Sequence, residues 1–384
     1  MIPLLPTLRP ARFIAPKATP GELPFPLASP RTRWYYFARN GVWESVDVLG
    51  LSAGDEVLIP GYTSGLEVEA FEARGIIPVF YNLTASLTPD WQDIKNKLSR
   101  QTKVFYLIHY FGFPQPLPQA VEFCTQYRLL LFEDNALGFL SKDTTGKPLG
   151  STGEVGLFCP RKTLPLPHGG MLVVNRPDLP LPPTPQQQPS RYSTLGETSS
   201  LMIRDIMKRE GFAASAARIF KKNALPRLKR SLRTFGLAHT ESGGAKFEPD
   251  KALWGMSGLS RHLLPRFDYN QIIARRRKNF CLLASCLRNL NHNRLRILYP
   301  DLPDGVCPLE FMIMVENLDY TVKTLADNDI ECGLHWWWER PQDIGKQFPN
   351  IRPLLTQGIL LPIHQDLHPE DIQKIAQAVR EAVQ

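Results

Sequence analysis

The sequence predicts an α/β protein, with a large domain built on a mixed, mainly parallel sheet flanked by helices and a smaller C-terminal α/β domain. Three observations predict it. From Gly41 to about residue 176, short apolar runs alternate with amphipathic stretches, the pattern of strands buried on both faces and covered by helices. A proline-rich stretch at 177–190 and a polar, glycine-containing stretch at 239–247 then interrupt the chain. At 384 residues the chain exceeds one ordinary domain and suits a large one plus a smaller one.

Taken in order, residues 1–38 form an N-terminal arm, with prolines at 3, 6, 10, 16, 20, 24, 26 and 30 keeping it extended. The large domain is expected over 39–245. Its strands read as Glu56–Pro60, Ile76–Tyr81, Lys103–His109, Leu129–Asp134 and Gly153–Phe158, and its helices as Gly41–Leu51, Gly65–Arg74, Asp90–Leu98 and Leu117–Tyr127. The connector at 177–190 and a basic helical segment at about 195–235 complete it. The small domain is expected over 246–384, with a long helix around 256–290, a strand at Leu309–Val315 and a final helix at Pro369–Val383.

Composition excludes several classes. Apolar residues are 43% and charged residues 21%, and no run approaches the roughly 18–20 apolar residues of a membrane span, so a cytoplasmic protein is expected. The six cysteines lack Cys-x-x-Cys spacing, so no metal site is expected and the thiols read as buried and free. The net charge is +8, part of it crowded between Arg218 and Arg233. No aromatic-interleaved nucleic-acid module accompanies it, so it reads as a solvated helix face, with a phosphate-attracting rim as the alternative. Arg275-Arg276-Arg277-Lys278 likewise reads as a solvated face or a dimer contact.

The chemistry gathers around one lysine. Asp134 closes an apolar strand, and Lys162 follows in Cys-Pro-Arg-Lys-Thr, ahead of Gly169-Gly170. A carboxylate at a strand end keeps the pyridine nitrogen of pyridoxal phosphate (PLP) protonated, and a lysine amine bonds its aldehyde. Asn40-Gly41 before a helix offers backbone amides to a phosphate, although the same pair is also a common cap. Tyr62 in Pro-Gly-Tyr-Thr-Ser lies against a flat ring or simply packs. His109 stands at a strand end and His168 beside Gly169. His335-Trp336-Trp337-Trp338 walls a sugar pocket or packs an interface.

Together these pieces resemble the DegT/DnrJ/StrS family of PLP-dependent sugar aminotransferases, of the type I, aspartate-aminotransferase-like fold. The resemblance runs from about residue 39 to the end. Gly-Asp-Glu-Val-Leu-Ile-Pro-Gly-Tyr-Thr (54–63), His-Tyr-Phe-Gly-Phe-Pro (109–114), Phe-Glu-Asp-Asn-Ala (132–136), Gly-Ser-Thr-Gly-Glu-Val-Gly (150–156), Pro-Arg-Lys (160–162) and Gly-Gly-Met-Leu-Val-Val-Asn (169–175) stand in the family's order. The resemblance implies Lys162 as the Schiff-base lysine and proton shuttle, Asp134 on the pyridine nitrogen, and Asn40 and Gly41 at the phosphate. It places the Thr63 region along the ring and phosphate, Cys159 nearest the phosphate-binding serine's place and the region of His335 and Trp336 towards the active site, while Tyr62 as a ring wall and His109 and His168 near substrate are read from their positions alone. It further implies an amino-acid donor such as glutamate, a keto-sugar acceptor and a homodimer. The chain departs from the family at Leu137, where Gln or His is usual, at Ser64, where an aromatic is usual, and at Cys159. Those departures leave a second reading open: a PLP-fold protein without turnover, acting as a binding or regulatory module.

Overall fold

The computed structural model describes residues 1–208, 246–290, 294–334 and 347–383. The basic segment 218–233, His335 and Trp336 therefore lie outside the described residues. Two sheets organise the rest. The larger has seven strands: β1 (Thr32–Tyr35), β2 (Glu56–Pro60), β3 (Ile77–Tyr81), β4 (Thr102–Ile108), β5 (Leu130–Asn135), β6 (Val155–Phe158) and β7 (Gly170–Val174), ordered β1-β7-β6-β5-β4-β2-β3. Strands β3, β2, β4, β5 and β6 are parallel, and β7 runs against both its neighbours. Strands β4, β5, β6 and β7 are buried almost throughout, which explains their near-continuous apolar runs.

Helices α1 (Ala38–Val48), α2 (Leu66–Glu72), α3 (Trp91–Asn96) and α4 (Leu117–Tyr127) alternate with these strands. Their local signals are ordinary ones. Asp90 caps α3 by accepting from the amides of Gln92 and Asp93. Arg128, in the left-handed region at φ 55°, stops α4. Gly54 carries φ 95°, a conformation glycine adopts without strain, so the Gly-Asp-Glu turn into β2 needs it.

Helix α5 (Pro160–Thr163) lies between β6 and β7, and beyond β7 come α6 (Arg191–Lys208), α7 (Gly258–Leu263) and α8 (Tyr269–Leu287). The expected single helix over 256–290 is split, because Pro265 sits in a 3-10 turn between α7 and α8. The smaller sheet is antiparallel: β8 (Leu295–Ile297), β9 (Phe311–Val315), β10 (Gly333–Leu334) and β11 (Gly358–Leu361), ordered β10-β11-β9-β8. Helices α9 (Leu318–Asp327), α10 (Arg352–Gln357) and α11 (Pro369–Val383) accompany it.

The arm is more structured than its prolines suggest. It contains 3-10 turns at Pro10–Phe13 and Pro20–Glu22, and Leu8 is fully buried. Its first residues join the small sheet's surroundings: the Ile2 amide donates to Asp329, the Glu331 amide donates to Ile2, and His364 meets the Pro3 carbonyl. Thr7 reaches Asp366 and Asp205.

The cysteine expectation holds for Cys124, Cys159 and Cys307, which are buried, and fails for Cys281, which is exposed on α8. Among the described residues no helix is long and apolar enough to cross a membrane, and no group of His, Cys, Asp and Glu could hold a metal ion.

Candidate active site

The site forms where β2, β4 and β5 end, the edge at which parallel sheets gather ligands. Asp134 sits at the carboxyl end of β5, level with Ile108 on β4 and Leu157 on β6. Tyr106 on β4 donates to its Oδ2 at 2.6 Å, and the Ala136 amide donates to its Oδ1 at 2.8 Å. Those two bonds fill about half of a carboxylate's acceptor positions, leaving room for another N–H. Burial raises Asp134's proton affinity, opposed by Tyr106, Ala136 and the charge of Lys162. A buried anion with so few opposing charges gains from a further cationic partner.

Lys162 lies on α5, a single helical turn. It follows Cys159 and Pro160, and its own amide donates to the Cys159 carbonyl at 3.1 Å. Its charge acts on two carboxyls, Asp134 and Glu310. Glu310, just before β9, is buried beside the lysine, and the sequence reading missed it. So did it miss Glu67 on α2. Glu67 accepts from the Thr63 and Ser64 hydroxyls and from the Ser64 amide at 3.0 Å. Burial and then the charge of Asp134 push the Glu67 carboxyl up. Thr63 and Ser64 are thus held by a carboxylate that faces Asp134.

Arg276 is the third residue missed. The Arg275–Lys278 tract is not simply a solvated face, because Arg276 is 1% exposed. Its guanidinium donates to the carbonyls of Thr163 (3.1 Å), Pro308 (3.2 Å) and Leu309 (2.8 Å), and its Nε to Gln365 (2.8 Å). It therefore ties the turn carrying Lys162 to the strand approach carrying Glu310.

The remaining expected site residues fall as follows. α1 begins at Ala38, three residues before the expected start at Gly41. Asn40 accepts the Phe37 amide and gives its own amide hydrogens to the carbonyls of Lys251 and Ala252. A Cβ on Gly41 would lie 2.9 Å from Leu157, so this glycine lets α1 lie on the sheet. Neither residue keeps a side-chain donor for a phosphate. The cationic groups at that helix start are Arg39 and Arg161, whose guanidiniums lie 4.7 and 4.8 Å from the Phe37 ring centre. Tyr62 is buried, its ring 5.4 Å from that of Tyr110. The Cys159 thiol points at the Gly169 carbonyl, 3.6 Å away. Leu137 is buried in the core.

His109 has a different task from the expected one. It is buried completely, its Nε2 lies 3.1 Å from Glu133, and its Nδ1 accepts the Gln115 amide. Both nitrogens are engaged, so nothing is left for a substrate. Glu133 also accepts the amides of Gly150, Thr152 and Gly153 at 3.0, 2.6 and 2.5 Å. Burial works against its charge, but His109 and these amides outweigh it and hold the carboxyl below its ordinary value. A depressed folded pKa gives stability that is present above the unfolded value, about 4.3 for glutamate, and lost as pH falls through the folded value. Glu133→Gln is therefore expected to lose about 2–4 kcal/mol at pH 7 and to flatten the loss of stability below pH 4.5, read by urea unfolding.

His168 is packed inside the protein. It is fully buried under Tyr36, with ring centres 4.6 Å apart, and neither ring nitrogen has a hydrogen-bond partner among the described residues. Burial and then Arg161 lower its pKa to about 3, so the ring is neutral.

Residues 41–180 match the DegT/DnrJ/EryC1/StrS aminotransferase family, whose aminotransferases depend on PLP. A 133-residue stretch is 35% identical to the GDP-perosamine synthase of Escherichia coli O157:H7, covering 33% of this chain and 35% of that protein. The chain spans only about a third of the length of the curated GDP-perosamine synthases it matches, 35% and 36%. Over 350 residues it is 23% identical to the dTDP-4-dehydro-2,3,6-trideoxy-D-glucose 4-aminotransferase of Saccharopolyspora spinosa, covering 88% of this chain and 81% of that protein. The pyridoxamine-phosphate form of Spr1654 from Streptococcus pneumoniae has the same fold, with TM-score 0.68 at 15% identity over 100% of this chain and 99% of that one.

The residues present suit the family's cofactor. A buried carboxylate with acceptor positions to spare lies within the field of a lysine amine, and two guanidiniums stand at the start of α1. Residues 41–180 thus match the DegT/DnrJ/EryC1/StrS aminotransferase family, and the whole chain shares the fold of Spr1654.

Proposed function

We propose that the chain is a PLP-dependent aminotransferase that moves an amino group from an amino acid, glutamate being the expected donor, to the keto group of a nucleotide-linked sugar. The observation that carries this reading is the buried Asp134 carboxyl at the end of β5, with acceptor positions to spare and the charge of Lys162 acting on it. The relatives favour the acceptor class, since GDP-perosamine synthase and the dTDP-sugar 4-aminotransferase are both named for nucleotide-linked sugars. A homodimer follows from the family resemblance and belongs to the same proposal.

When bound, PLP supplies an aldehyde for the lysine and a ring that stabilises negative charge beside the amino nitrogen. Lys162 would hold it covalently, Asp134 would accept the ring N–H, and Arg39 and Arg161 would meet the phosphate. Lys162 then takes the proton from the α-carbon of the donor and returns it one position away. Asp134, fixed by Tyr106 and Ala136, would present its carboxyl to the ring N–H. Its burial excludes water from that contact.

Purified protein given PLP should develop an absorbance band that borohydride removes, and should pass nitrogen from glutamate to a nucleotide-linked keto sugar. Protein that takes up no PLP at saturating concentration overturns the proposal. It would favour the binding-module reading, which the Cys159 thiol supports by being engaged with Gly169. Asp134→Asn is expected to cut transfer on the order of a hundredfold or more. Because the buried carboxyl resists ionisation, the variant should be at least as stable as the parent in urea.

A further inference from the structure

A cleft of about 180 Å³ opens between the N-terminal arm, the start of α8 and the segment leading into α11. Its walls carry three guanidiniums, Arg9, Arg12 and Arg275, and two carboxylates, Asp268 and Asp366. Local structure commits only part of these groups. Asp268 accepts the Gln271 amide with one oxygen, capping α8, and Asp366 accepts the Thr7 amide with one, each at 2.9 Å. Arg12 donates to the Arg266 carbonyl at 2.6 Å and lies 4.8 Å from the Phe267 ring centre, which holds its fork in place. Arg9 meets Asp205 at 3.7 Å, too far for a hydrogen bond. Among the described residues Asp268 Oδ2, Asp366 Oδ1 and the half-buried Arg275 guanidinium have no hydrogen bond.

We propose that this cleft binds a dicarboxylic α-amino acid, of the size and charge of glutamate, apart from the site at Lys162. Three guanidiniums against two carboxylates leave the walls with one positive charge. A dicarboxylic amino acid carries one negative charge, as two carboxylates and an ammonium. Planar guanidiniums take carboxylates through paired N–H bonds, and the open oxygens of Asp268 and Asp366 accept an ammonium. A phosphate would face those two carboxylates with no cation of its own, and a diamine would face the excess of guanidiniums. The volume is that of about six waters in the liquid, enough for one such amino acid. The cleft also reaches the turn that carries Lys162. Pro165 and Gln365 line it, and the Gln365 side chain donates to the Thr163 carbonyl at 3.0 Å.

Binding here does not depend on the proposed function, and its test needs no cofactor. The full chain, freed of PLP, is titrated in a calorimeter with L-glutamate, with glutarate, which lacks the ammonium, and with inorganic phosphate. Glutamate should bind about tenfold or more tighter than either of the others. Arg275→Gln and Asp268→Asn should each weaken glutamate about tenfold or more, one charge-assisted contact apiece. Asparagine keeps the oxygen that caps α8, so Asp268→Asn decides should Arg275→Gln unfold. Hydrogen exchange locates the site: glutamate should slow exchange in residues 7–12 and 268–275 of the parent and have little effect there in the variants. Equal affinity for glutamate in parent and variants, equal affinity for glutarate, or no binding at all overturns the proposal. Glutamate held only at the Lys162 site would survive both substitutions. A chain that takes up no PLP would leave the cleft result standing, so the two proposals fail separately.

Discussion

Lys162→Ala is expected to abolish amine transfer, by a factor on the order of 10³ or more, and to abolish the borohydride-fixed adduct. In the proposed function the lysine is the one group that would bond the cofactor and exchange protons at the reacting carbon, and its charge acts on the buried Asp134 carboxyl. Its side chain is only partly buried on a short turn, so the variant should fold, with urea unfolding close to that of the parent. The check is absorbance titration with PLP together with peptide mapping of the reduced adduct. An adduct that persists in Lys162→Ala would assign the chemistry to another lysine and undo the proposed function.

Arg276→Ala should have the largest effect on stability. The guanidinium satisfies the carbonyls of Thr163, Pro308 and Leu309 and the side chain of Gln365 in a site closed to water. Its removal strands these acceptors and leaves a hole, and breaking a buried charged network costs about 3–5 kcal/mol. Arg276→Lys keeps the charge but not the planar fork, so it should recover only part of the loss. Urea unfolding followed by tryptophan fluorescence measures both. The turn carrying Lys162 hangs on the same guanidinium, so PLP uptake should weaken under conditions where the variant is still folded. Uptake unchanged in a folded Arg276→Ala would show that the clamp does not position the lysine.

Most of the large sheet was legible because its signals are local. Glu56–Pro60 and Leu117–Tyr127 match observed elements residue for residue, since a short apolar run between turns and an amphipathic stretch opened by prolines leave little choice. The start of α1 was misplaced because its cap is Phe37, which has no side-chain oxygen to announce it. Pro265 did announce the break between α7 and α8, and the apolar periodicity on either side concealed it. Lys162 and Asp134 were readable as candidates because their order along the chain matches their chemistry. The groups that surround them were not, since Arg276 and Glu310 come from distant segments. A signal for Arg276 did exist. It falls on the stripe Ile272, Phe280, Leu283, Leu287, where a helix turns its buried side inward, so an arginine there had to be buried as well. The histidines misled because residue type suggested chemistry while position decided packing: His109 spends both nitrogens on Glu133 and Gln115.

The arm has one more consequence, a mechanical one. Residues 2–7 bond to Asp329, Glu331, His364 and Asp366, and Ala18 donates to the Pro265 carbonyl at 2.6 Å. The small sheet is therefore fastened twice, once by the peptide path through α8 and once by this strap from the opposite end of the chain. Two fastenings in parallel make it costly for either sheet to melt alone, so calorimetry should record a single heat-absorption peak. Cutting the strap with a protease near residue 14, where Ile14 is 87% exposed, should split that peak in two.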